Sequence, residues 1–503
     1  MSNLKVLERV IDCSVFQQNN YMIPELHSES LDSCCKQLKY AILTKSRIFI
    51  YGDYDVDGLM SMLVWKSVFV SIGYNNFKLY QYSLRTHAIQ GDIVQQASDY
   101  NADYVIICDT GSNLNDRVIL RKLKALQMEV IVIDHHTCEY GYNNMKEEAY
   151  VFNSYEERIV LNNDRVSGAY ASLLVANVLC SKYLQVLLSS DARYFALASM
   201  YSDVIDMSSN TAIALYNNVI LQRGVPPKIL QALNTSNYKI GRRFFQYMVA
   251  PALNNCFRAG AFDLLNQLVT ADDPYMITNI VKRISEMHEK TRNLVKVIHS
   301  NTTKKKFGAL TLCFYENNVS ETMTDLSGYT GLLANMVASE VGGAVVCLTK
   351  VAGGYKGSLR DQQGRNFLSA FSSFADVGGH PSAFGIRIAE NKFNIFLKSV
   401  EILGNTFSQN AIPRFSVISS EYIQDMDDLN VLALYNEFMN TKSMIYIRLQ
   451  CSNVILHHKT SWYKYYNVGL PVHVKTVMPL IVGSNIFIEP CICQGVELRE
   501  VVV

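Results

Sequence analysis

The sequence predicts an α/β protein in which a parallel-sheet domain is joined by a long helix to a smaller α/β domain and is followed by a β-rich segment. In the first third of the chain, short apolar runs alternate with helical patterns, which is typical of a parallel sheet covered by helices. Residues 275–299 then form a charged stretch without Gly or Pro, enough for a helix of about 37 Å. We therefore expect domains at 1–272, 301–410 and 411–503, with a connecting helix at 273–300.

Composition places the chain among globular proteins. It has 503 residues, of which 49% are hydrophobic and 18% are charged, and its formal net charge is +1. Such a chain is neither disordered nor coated with positive charge, although a local basic groove is compatible with it. The twelve cysteines are scattered without CxxC pairs, and no run reaches the roughly 18–20 apolar residues of a membrane span. We therefore expect a reduced, cytoplasmic protein that does not use a membrane.

The first third predicts the elements of the parallel sheet in order. Strands are predicted at 47–51, 104–108 and 130–133, and helices at 59–72 and 116–127. Each of these strands is followed by an acid, namely Asp53, Asp109 and Asp134. Because the functional crevice of such a sheet lies beyond the carboxyl ends of its strands, we expect the acids to converge there.

The remainder of the chain predicts two further segments. Helical patterning dominates from 167 to 300, and a second α/β segment containing Gly378-Gly379-His380 follows it. β-rich runs at 444–449, 472–477 and 485–492 then close the chain. These runs permit a small barrel of the OB type.

Three carboxylates lie within five residues at the end of the first strand, in the order Asp53, Asp55 and Asp57. In an extended segment they point to the same side, and such charges repel one another unless a cation neutralises them. Oxygen ligands favour Mg²⁺ or Mn²⁺. The same segment is also compatible with an acidic turn in which Asp57 serves the N-terminus of the next helix.

Further acids and histidines favour the metal interpretation. Asp109 and Asp134-His135-His136 end strands of the same predicted sheet, and Asp203 would complete a carboxylate-rich site. Asp206 is a rival of Asp203 and is better explained as a solvated or capping acid. Several strand-end or loop elements that repeat one ligand chemistry indicate a dinuclear metal site.

The order of these motifs resembles the DHH phosphoesterase superfamily. The resemblance is carried by the segment from Asp53 to Gly58, by Asp109, by Asp134-His135-His136 and by Asp203. Gly378-Gly379-His380 resembles the signature of the associated DHHA1 domain. The resemblance implies a DHH metal-binding catalytic domain at 1–272 and a DHHA1-like substrate-binding domain at 301–410.

Within the superfamily, the chain resembles the RecJ-like single-strand exonucleases. Members that act on small substrates typically carry a His where this chain has Tyr51. Short segments similar to RecJ proteins begin at Ser83, Ser167, Ala250 and Gly357. The glycine-tyrosine-glycine run expected after Arg85 is absent.

The resemblance implies a role for each site residue. It makes Asp55, Asp57, Asp109, His135 and Asp203 the ligands of two Mn²⁺ or Mg²⁺ ions, with Asp109 as the bridge. Asp53 and Asp134 would hold these ligands in place. The scissile phosphate would be contacted by His136, Arg258 and His380, and a terminal phosphate would be bound by Arg85, Ser358 and Arg360.

The implied function is hydrolysis of single-stranded DNA from the 5′ end to mononucleotides, in DNA repair and recombination. The implied protein partners are a single-strand-binding protein or a helicase, and the chain is expected to be a monomer. The alternative enzyme is a DHH phosphodiesterase or nuclease acting on short oligonucleotides or cyclic dinucleotides. A non-catalytic scaffold is the other alternative, although such relatives usually lose metal-site residues. The residues by themselves leave open the polarity, the choice between DNA and RNA, and the preferred metal.

Overall fold

The computed structural model describes residues 28–501 with short gaps. The gaps are 85–88, 158–160, 162–163, 208, 222–223, 316–325, 362–364, 381, 407–415, 420–422, 424–425, 439–444, 452–453, 460–463, 469, 471, 477–479, 481–484 and 493–495. Arg85, which was assigned to the terminal-phosphate pocket, lies outside the described residues. No helix in the described part of the chain is both long enough and apolar enough to cross a membrane.

Within the described residues, the strands form three sheets. Their bounds are β1 Ile48–Gly52, β2 Phe77–Leu79, β3 Tyr104–Cys108, β4 Glu129–Asp134, β5 Tyr150–Asn153, β6 Thr303–Phe307, β7 Leu310–Tyr315, β8 Ala344–Val351, β9 Gly354–Asp361, β10 Asp376–His380, β11 Ala383–Ala389, β12 Ser416–Ser419, β13 Ile445–Gln450, β14 Ile455–Lys459, β15 Lys464–Asn467, β16 Val474–Thr476, β17 Asn485–Ile492 and β18 Val496–Val501.

The α-helices follow in chain order. Their bounds are α1 Glu29–Leu43, α2 Val56–Ser71, α3 Ile93–Asp99, α4 Asp116–Ala125, α5 Tyr142–Glu148, α6 Gly168–Val178, α7 Ser190–Ser202, α8 Asn210–Tyr216, α9 Lys228–Leu233, α10 Arg242–Phe244, α11 Ala250–Ala259, α12 Phe262–Thr270, α13 Pro274–Ser300, α14 Thr330–Val341, α15 Leu368–Phe371, α16 Phe393–Thr406 and α17 Met426–Phe438. Phe245–Val249 is π-helical and joins α10 to α11.

The first sheet is parallel throughout and has the strand order β2-β1-β3-β4-β5. Every residue of β1 and β3 is buried, because helices cover both faces. Gly52 pairs with Cys108, and Cys108 pairs with Ile133, so the three strands end side by side. The residues that follow them therefore meet at one edge of the sheet.

The second sheet has six strands in the order β10-β11-β9-β8-β7-β6, with mixed directions. Side chains alternate between its two faces with period two. Leu310 and Leu312 join a core that includes Phe396 of α16. Cys313 and Tyr315 join the opposite core, which includes Leu333 of α14.

The β-rich segment forms a third sheet of seven strands, in the order β12-β13-β17-β18-β16-β15-β14. The predicted fold class is confirmed: a parallel α/β sheet, a further α/β sheet and a β-rich C-terminal sheet are all present. Helix α17 lies within the segment predicted to be β-rich, and the sequence analysis does not predict it.

The contacts divide the chain into two compact units. The first contains Met1–Glu286, Gln424–Asn440 and Pro490–Glu497, and the second contains Met287–Ile423, Thr441–Glu489 and Leu498–Val503. The connecting helix is present as Pro274–Ser300. The proposed functional boundaries at 272, 300 and 410 stay a prediction.

Candidate metal centre

The loop between β1 and α2 is held in shape by two glycines that face each other. A Cβ atom on Gly52 would overlap the carbonyl of Gly58, and a Cβ on Gly58 would overlap the backbone of Asp53. Asp55 is the N-cap of α2, where its Oδ1 accepts a hydrogen bond of 3.0 Å from the Gly58 N–H. The close approach of the two backbones thus fixes the segment that carries the first three acids.

Asp57 lies in the first turn of α2 but serves a different helix. Its carboxylate accepts hydrogen bonds from the N–H groups of Gly168 (2.7 Å) and Ala169 (2.8 Å) at the start of α6, and from the Ser199 hydroxyl. The N-cap of α2 is Asp55 and Asp57 lies in the first turn, so the segment is an acidic capping turn as well as the carrier of these acids. Burial raises the pKa of Asp57, and the neighbouring Asp55 charge adds to the increase.

Asp109 follows β3 and is held in a strained backbone conformation. Its φ of 63° is in the left-handed region, which typically costs a residue other than glycine about 1–3 kcal/mol. Gly168 makes room for it, because a Cβ there would lie 2.6 Å from Asp109 Oδ1. Burial, together with the charges of Asp57, Asp55, Asp53 and Asp134, raises the pKa of Asp109 well above its usual range.

The Oδ1 atom of Asp109 is buried and accepts no hydrogen bond from the described residues. The Nε2 atom of His135 lies 3.1 Å away, but it is not aligned to donate one. Two ligand atoms that sit about 2.1 Å from one cation at a right angle are about 3.0 Å apart. This separation therefore suits two ligands of a shared metal ion.

Asp134 ends β4 and organises the two histidines that follow it. Its Oδ1 accepts hydrogen bonds from the His135 N–H (2.7 Å), the His136 N–H (3.3 Å) and His136 Nδ1 (2.8 Å). Burial would raise the pKa of Asp134, but the charge and hydrogen bond of His136 outweigh burial and lower it. Burial would likewise lower the pKa of His136, but Asp134 raises it to about 10.

His135 lies at the centre of the cluster. Its Nε2 is 3.7 Å from Asp57 Oδ2, and its Nδ1 is 4.0 Å from Oδ2 of Asp203, the C-terminal cap of α7. Burial and the charge of His136 lower the pKa of His135. A lowered pKa favours the neutral ring, which is the form that binds metals.

Donor atoms in this region form three overlapping groups whose members all lie within 4.8 Å of one another. The groups are Asp53, Asp55 and Asp109; Asp57, His135 and Asp203; and Asp109, Asp134, His135 and His136. Asp109 and His135 each occur in two of these groups, so the groups form one continuous cluster in which Asp109 links Asp53 and Asp55 to the histidines. The oxygen-rich donor set with one imidazole, and the unsatisfied Oδ1 of Asp109, fit a pair of divalent cations.

Tyr51 takes no part in this cluster. Its side chain is fully buried, its ring contacts that of Tyr80 with centroids 4.6 Å apart, and its Oη accepts a hydrogen bond from the Gln90 N–H.

Arg258 is half-buried on α11. That helix contacts the acidic loop through its neighbour Phe257, whose carbonyl accepts the hydroxyl of Tyr54.

Ser358 and Arg360 belong to the second unit, where they share one face of β9 beside the N-terminus of α14. Ser358 Oγ lies 2.9 Å from Thr330 Oγ1, and Arg360 Nη1 donates to the Leu359 carbonyl at 2.7 Å. A Cβ on Gly331 would lie 2.9 Å from Arg360 Nη2 and 3.5 Å from Ser358 Oγ. A guanidinium, hydroxyls and a helix N-terminus together suit an anion.

His380 is the last residue of β10 and also belongs to the second unit.

The structure brings together all seven acids and histidines assigned to metal ligation and its support, and His136 with them. Sequence reasoning missed Ser199, whose hydroxyl contacts both Asp57 and Ser167. Its position four residues before Asp203, on the same helix face, is the signal that could have found it.

Comparison with known proteins identifies a family and several relatives that this chain resembles. Residues 47–188 match the model of the DHH family, N-terminal domain. The chain is 20% identical over 420 residues to the single-stranded-DNA-specific exonuclease RecJ of Escherichia coli, covering 75% of this chain and 69% of that protein. It is 21% identical to RecJ of Bacillus subtilis, covering 81% of this chain and 53% of that longer protein.

Solved structures show the same fold. RecJ of Thermus thermophilus in complex with Mn²⁺ aligns with a TM-score of 0.73 at 16% identity, covering 96% of this chain and 72% of that one. The Mg²⁺ complex from the same organism gives a TM-score of 0.67 at 14% identity and covers 96% of this chain and 71% of that one. The resemblance to RecJ-like proteins of the DHH superfamily, first indicated by the motifs, is confirmed.

Proposed function

We propose that this chain, whose residues 47–188 match the N-terminal domain of the DHH family, is a RecJ-like exonuclease that digests single-stranded DNA from the 5′ end. The observation that carries the proposal is the cluster around Asp109 and His135, where two groups of ligands meet at an unsatisfied carboxylate oxygen. The relatives that the chain matches are single-stranded-DNA-specific exonucleases by name.

The proposed metal ligands divide into two sets. Asp55 and Asp109 form the first, and Asp57, His135 and Asp203 form the second. Asp109, whose Oδ1 lies 3.1 Å from His135 Nε2, is the proposed bridge between them. Asp53 lies beside the first set, and Asp134 orients the histidines. Mn²⁺ or Mg²⁺ bound there supplies positive charge that neutralises the phosphate and lowers the pKa of water.

The chain's own residues contribute position and charge. Asp57 is fixed by three donors, so its carboxylate cannot turn away from the site. His136, held in its charged form by Asp134, would donate to a phosphate oxygen and stabilise the negative charge that develops during hydrolysis. We assign the same role to Arg258 and His380.

The direction of digestion rests on the second unit. Arg360 and Ser358, beside the N-terminus of α14, would bind a terminal phosphate through charge-assisted hydrogen bonds. The resemblance assigns the same terminal phosphate to Arg85, which lies outside the described residues. A 5′ phosphate held there favours digestion from that end, with single-stranded DNA as the substrate.

A comparison of substrates tests the proposal. The protein with Mn²⁺ is given a long 5′-phosphorylated single strand, the same strand as a blunt duplex, and a dinucleotide. We expect mononucleotides from the long strand, little product from the duplex, and slower hydrolysis of the dinucleotide. Preferred hydrolysis of the dinucleotide would instead support a short-oligonucleotide phosphodiesterase, and no hydrolysis of any substrate would support a scaffold.

A further inference from the structure

Helix α7 presents opposite faces to two different parts of the first unit. Ser199 and Asp203 are four residues apart and face the metal centre, where Ser199 donates to Asp57 and Asp203 approaches His135. Tyr201 lies between them in sequence, about 200° away around the helix axis. It therefore projects from the side of the helix that faces away from the site.

Tyr201 is anchored there by the C-terminal helix α17. Its hydroxyl donates a hydrogen bond of 3.3 Å to the main-chain carbonyl of Glu437. Tyr201 is 1% exposed and Glu437 is 2% exposed, so water does not compete for this contact. Residues 424–440 thus belong to the same unit as the metal centre, although they lie more than 220 residues further along the chain.

The side chain of Glu437 also binds the helical segment whose Phe245 ring stacks on Tyr201. Its Oε1 accepts a hydrogen bond from the Arg242 N–H, at the start of the helical segment 242–259. Gly241 leaves space for the carboxylate, because a Cβ there would overlap Glu437 Oε1. Phe245, one turn further along, stacks on Tyr201 with ring centroids 5.5 Å apart and an angle of 17° between the planes.

Burial and the negative charge of Glu437 raise the pKa of two tyrosine hydroxyls. Burial raises the pKa of Tyr201 well above its usual range, and the Glu437 carboxylate adds to the increase. The same two causes act in the same order on Tyr216, at the end of α8. A Cβ on Gly241 would overlap Glu437 Oε1 and would lie 3.8 Å from Tyr216 Oη, so the Tyr216 hydroxyl lies near this carboxylate and Tyr216 is a matched control for Tyr201.

We propose that Tyr201 and Glu437 are positioning residues of the metal centre, through which α17 fixes the end of α7 and thereby the location of Asp203. The inference rests on the proposed function, because that function makes Asp203 a metal ligand. It implies that the C-terminal region contributes a structural element to the catalytic unit as well as a separate sheet.

The test compares two matched variants of the full chain. Tyr201→Phe removes the hydroxyl that reaches Glu437 and keeps the ring that stacks on Phe245. Tyr216→Phe removes a buried hydroxyl near the same carboxylate, from a helix that carries no proposed ligand. Mn²⁺ binding is measured by calorimetry and by electron paramagnetic resonance, and thermal unfolding is followed without metal.

We expect Tyr201→Phe to bind the weaker of the two Mn²⁺ ions with about tenfold lower affinity than the wild type. This is the low end of the loss caused by changing residues that hold metal ligands in place. Tyr216→Phe should bind both ions as the wild type does. A wild type that binds two ions, with the two variants indistinguishable in Mn²⁺ binding, would overturn the inference and leave the proposed function intact. A wild type that binds no Mn²⁺ would overturn the proposed function itself.

A second pair of variants, at Glu437, separates the effect of the hydrogen bond to Arg242 from the effect of the negative charge. Glu437→Gln retains an oxygen that can accept from the Arg242 N–H, whereas Glu437→Ala removes it. We expect Glu437→Gln to keep wild-type affinity for both ions and Glu437→Ala to lose affinity for one. If Glu437→Ala does not fold, the comparison of Tyr201→Phe with Tyr216→Phe decides.

Discussion

Asp109 concentrates more constraints than any other residue of the candidate site. It has a positive φ, it lies against Gly168, and its Oδ1 is buried without a hydrogen-bond donor among the described residues. Each constraint costs free energy in the protein without metal. A bound cation would offset that cost, because it supplies the missing partner for the carboxylate.

The first prediction follows for Asp109→Asn. Asparagine tolerates the left-handed conformation, so the substitution removes the charge without straining the backbone further. We expect the Mn²⁺-dependent hydrolysis rate to fall by more than the roughly 10- to 100-fold loss that is typical when a residue supporting a metal ligand is changed. Thermal stability without metal should be unchanged or higher, since one repelling charge is gone.

The matched control is Asp99→Asn, in which an exposed acid of α3 that is bonded to Gln95 is changed in the same way. This variant should hydrolyse DNA at the wild-type rate. Near-normal hydrolysis by Asp109→Asn would show that the two metal positions do not share this carboxylate.

A second prediction concerns pH. Burial raises the pKa of Asp57, Asp109 and Asp203, so these groups hold protons at a higher pH than the ordinary value of about 3.9. A metal requires the carboxylate form, and protons therefore compete with it. We expect Mn²⁺ affinity to fall as the pH is lowered from about 8 to about 5, as measured by calorimetry. Affinity that does not change over this range would contradict the raised pKa values.

At the scale of elements, the site depends on the contact between the end of β3 and the start of α6. The two N–H groups that bind Asp57 come from Gly168 and Ala169, and the absence of a side chain at Gly168 lets Asp109 approach. One helix N-terminus thus positions two of the acids.

The third prediction is that Gly168→Ala weakens Mn²⁺ binding while leaving helix content intact. Alanine favours the helical backbone by about 1 kcal/mol over glycine, but its methyl group would displace Asp109. Binding is measured by calorimetry and helix content by circular dichroism. The control is Gly91→Ala, because a Cβ at Gly91 meets nothing within 4 Å. Equal Mn²⁺ affinity in both variants would refute the steric argument.

Sequence predicted the elements of this site only where local pattern determines them. The acids after β1, β3 and β4 could be placed together because parallel strands that end side by side bring their following residues to one edge. The partners of Asp57 could not be predicted in the same way. Which helix N-terminus meets Asp57 depends on packing between elements that are distant in sequence, and the spacing of Ser199 from Asp203 indicates a shared helix face but not the contact with Asp57.

At the scale of the whole molecule, the same distinction applies to the domains. Strands such as β1, β3 and β4 follow apolar runs that are visible in the sequence, whereas β6 has the sequence Thr-Lys-Lys-Lys-Phe and is mostly exposed. Helix α17 was missed, and its membership of the first unit follows from contacts such as that between Tyr201 and Glu437, which link residues 236 positions apart. No local periodicity records such a contact.

The fourth prediction concerns Arg360 in the second unit. Arg360→Ala should lower efficiency on a 5′-phosphorylated strand by roughly ten- to a hundredfold, equivalent to a charge-assisted contact of about 1.5–3 kcal/mol. The loss should be much smaller on a strand with a 5′ hydroxyl. Arg387→Ala, an exposed arginine on β11, is the control and should affect the two strands equally. Equal losses for Arg360→Ala on both strands would remove the terminal-phosphate assignment.

The most direct test of the central claim is the Mn²⁺-dependent digestion of single strands labelled at one end. We predict that the wild type releases the 5′ label as a mononucleotide at the start of the reaction, that the 3′ label is released last, and that Asp109→Asn releases neither. Early release of the 3′ label would contradict the proposed direction. Release of the 5′ label by Asp109→Asn at the wild-type rate, or without any divalent metal, would contradict the metal-dependent account itself.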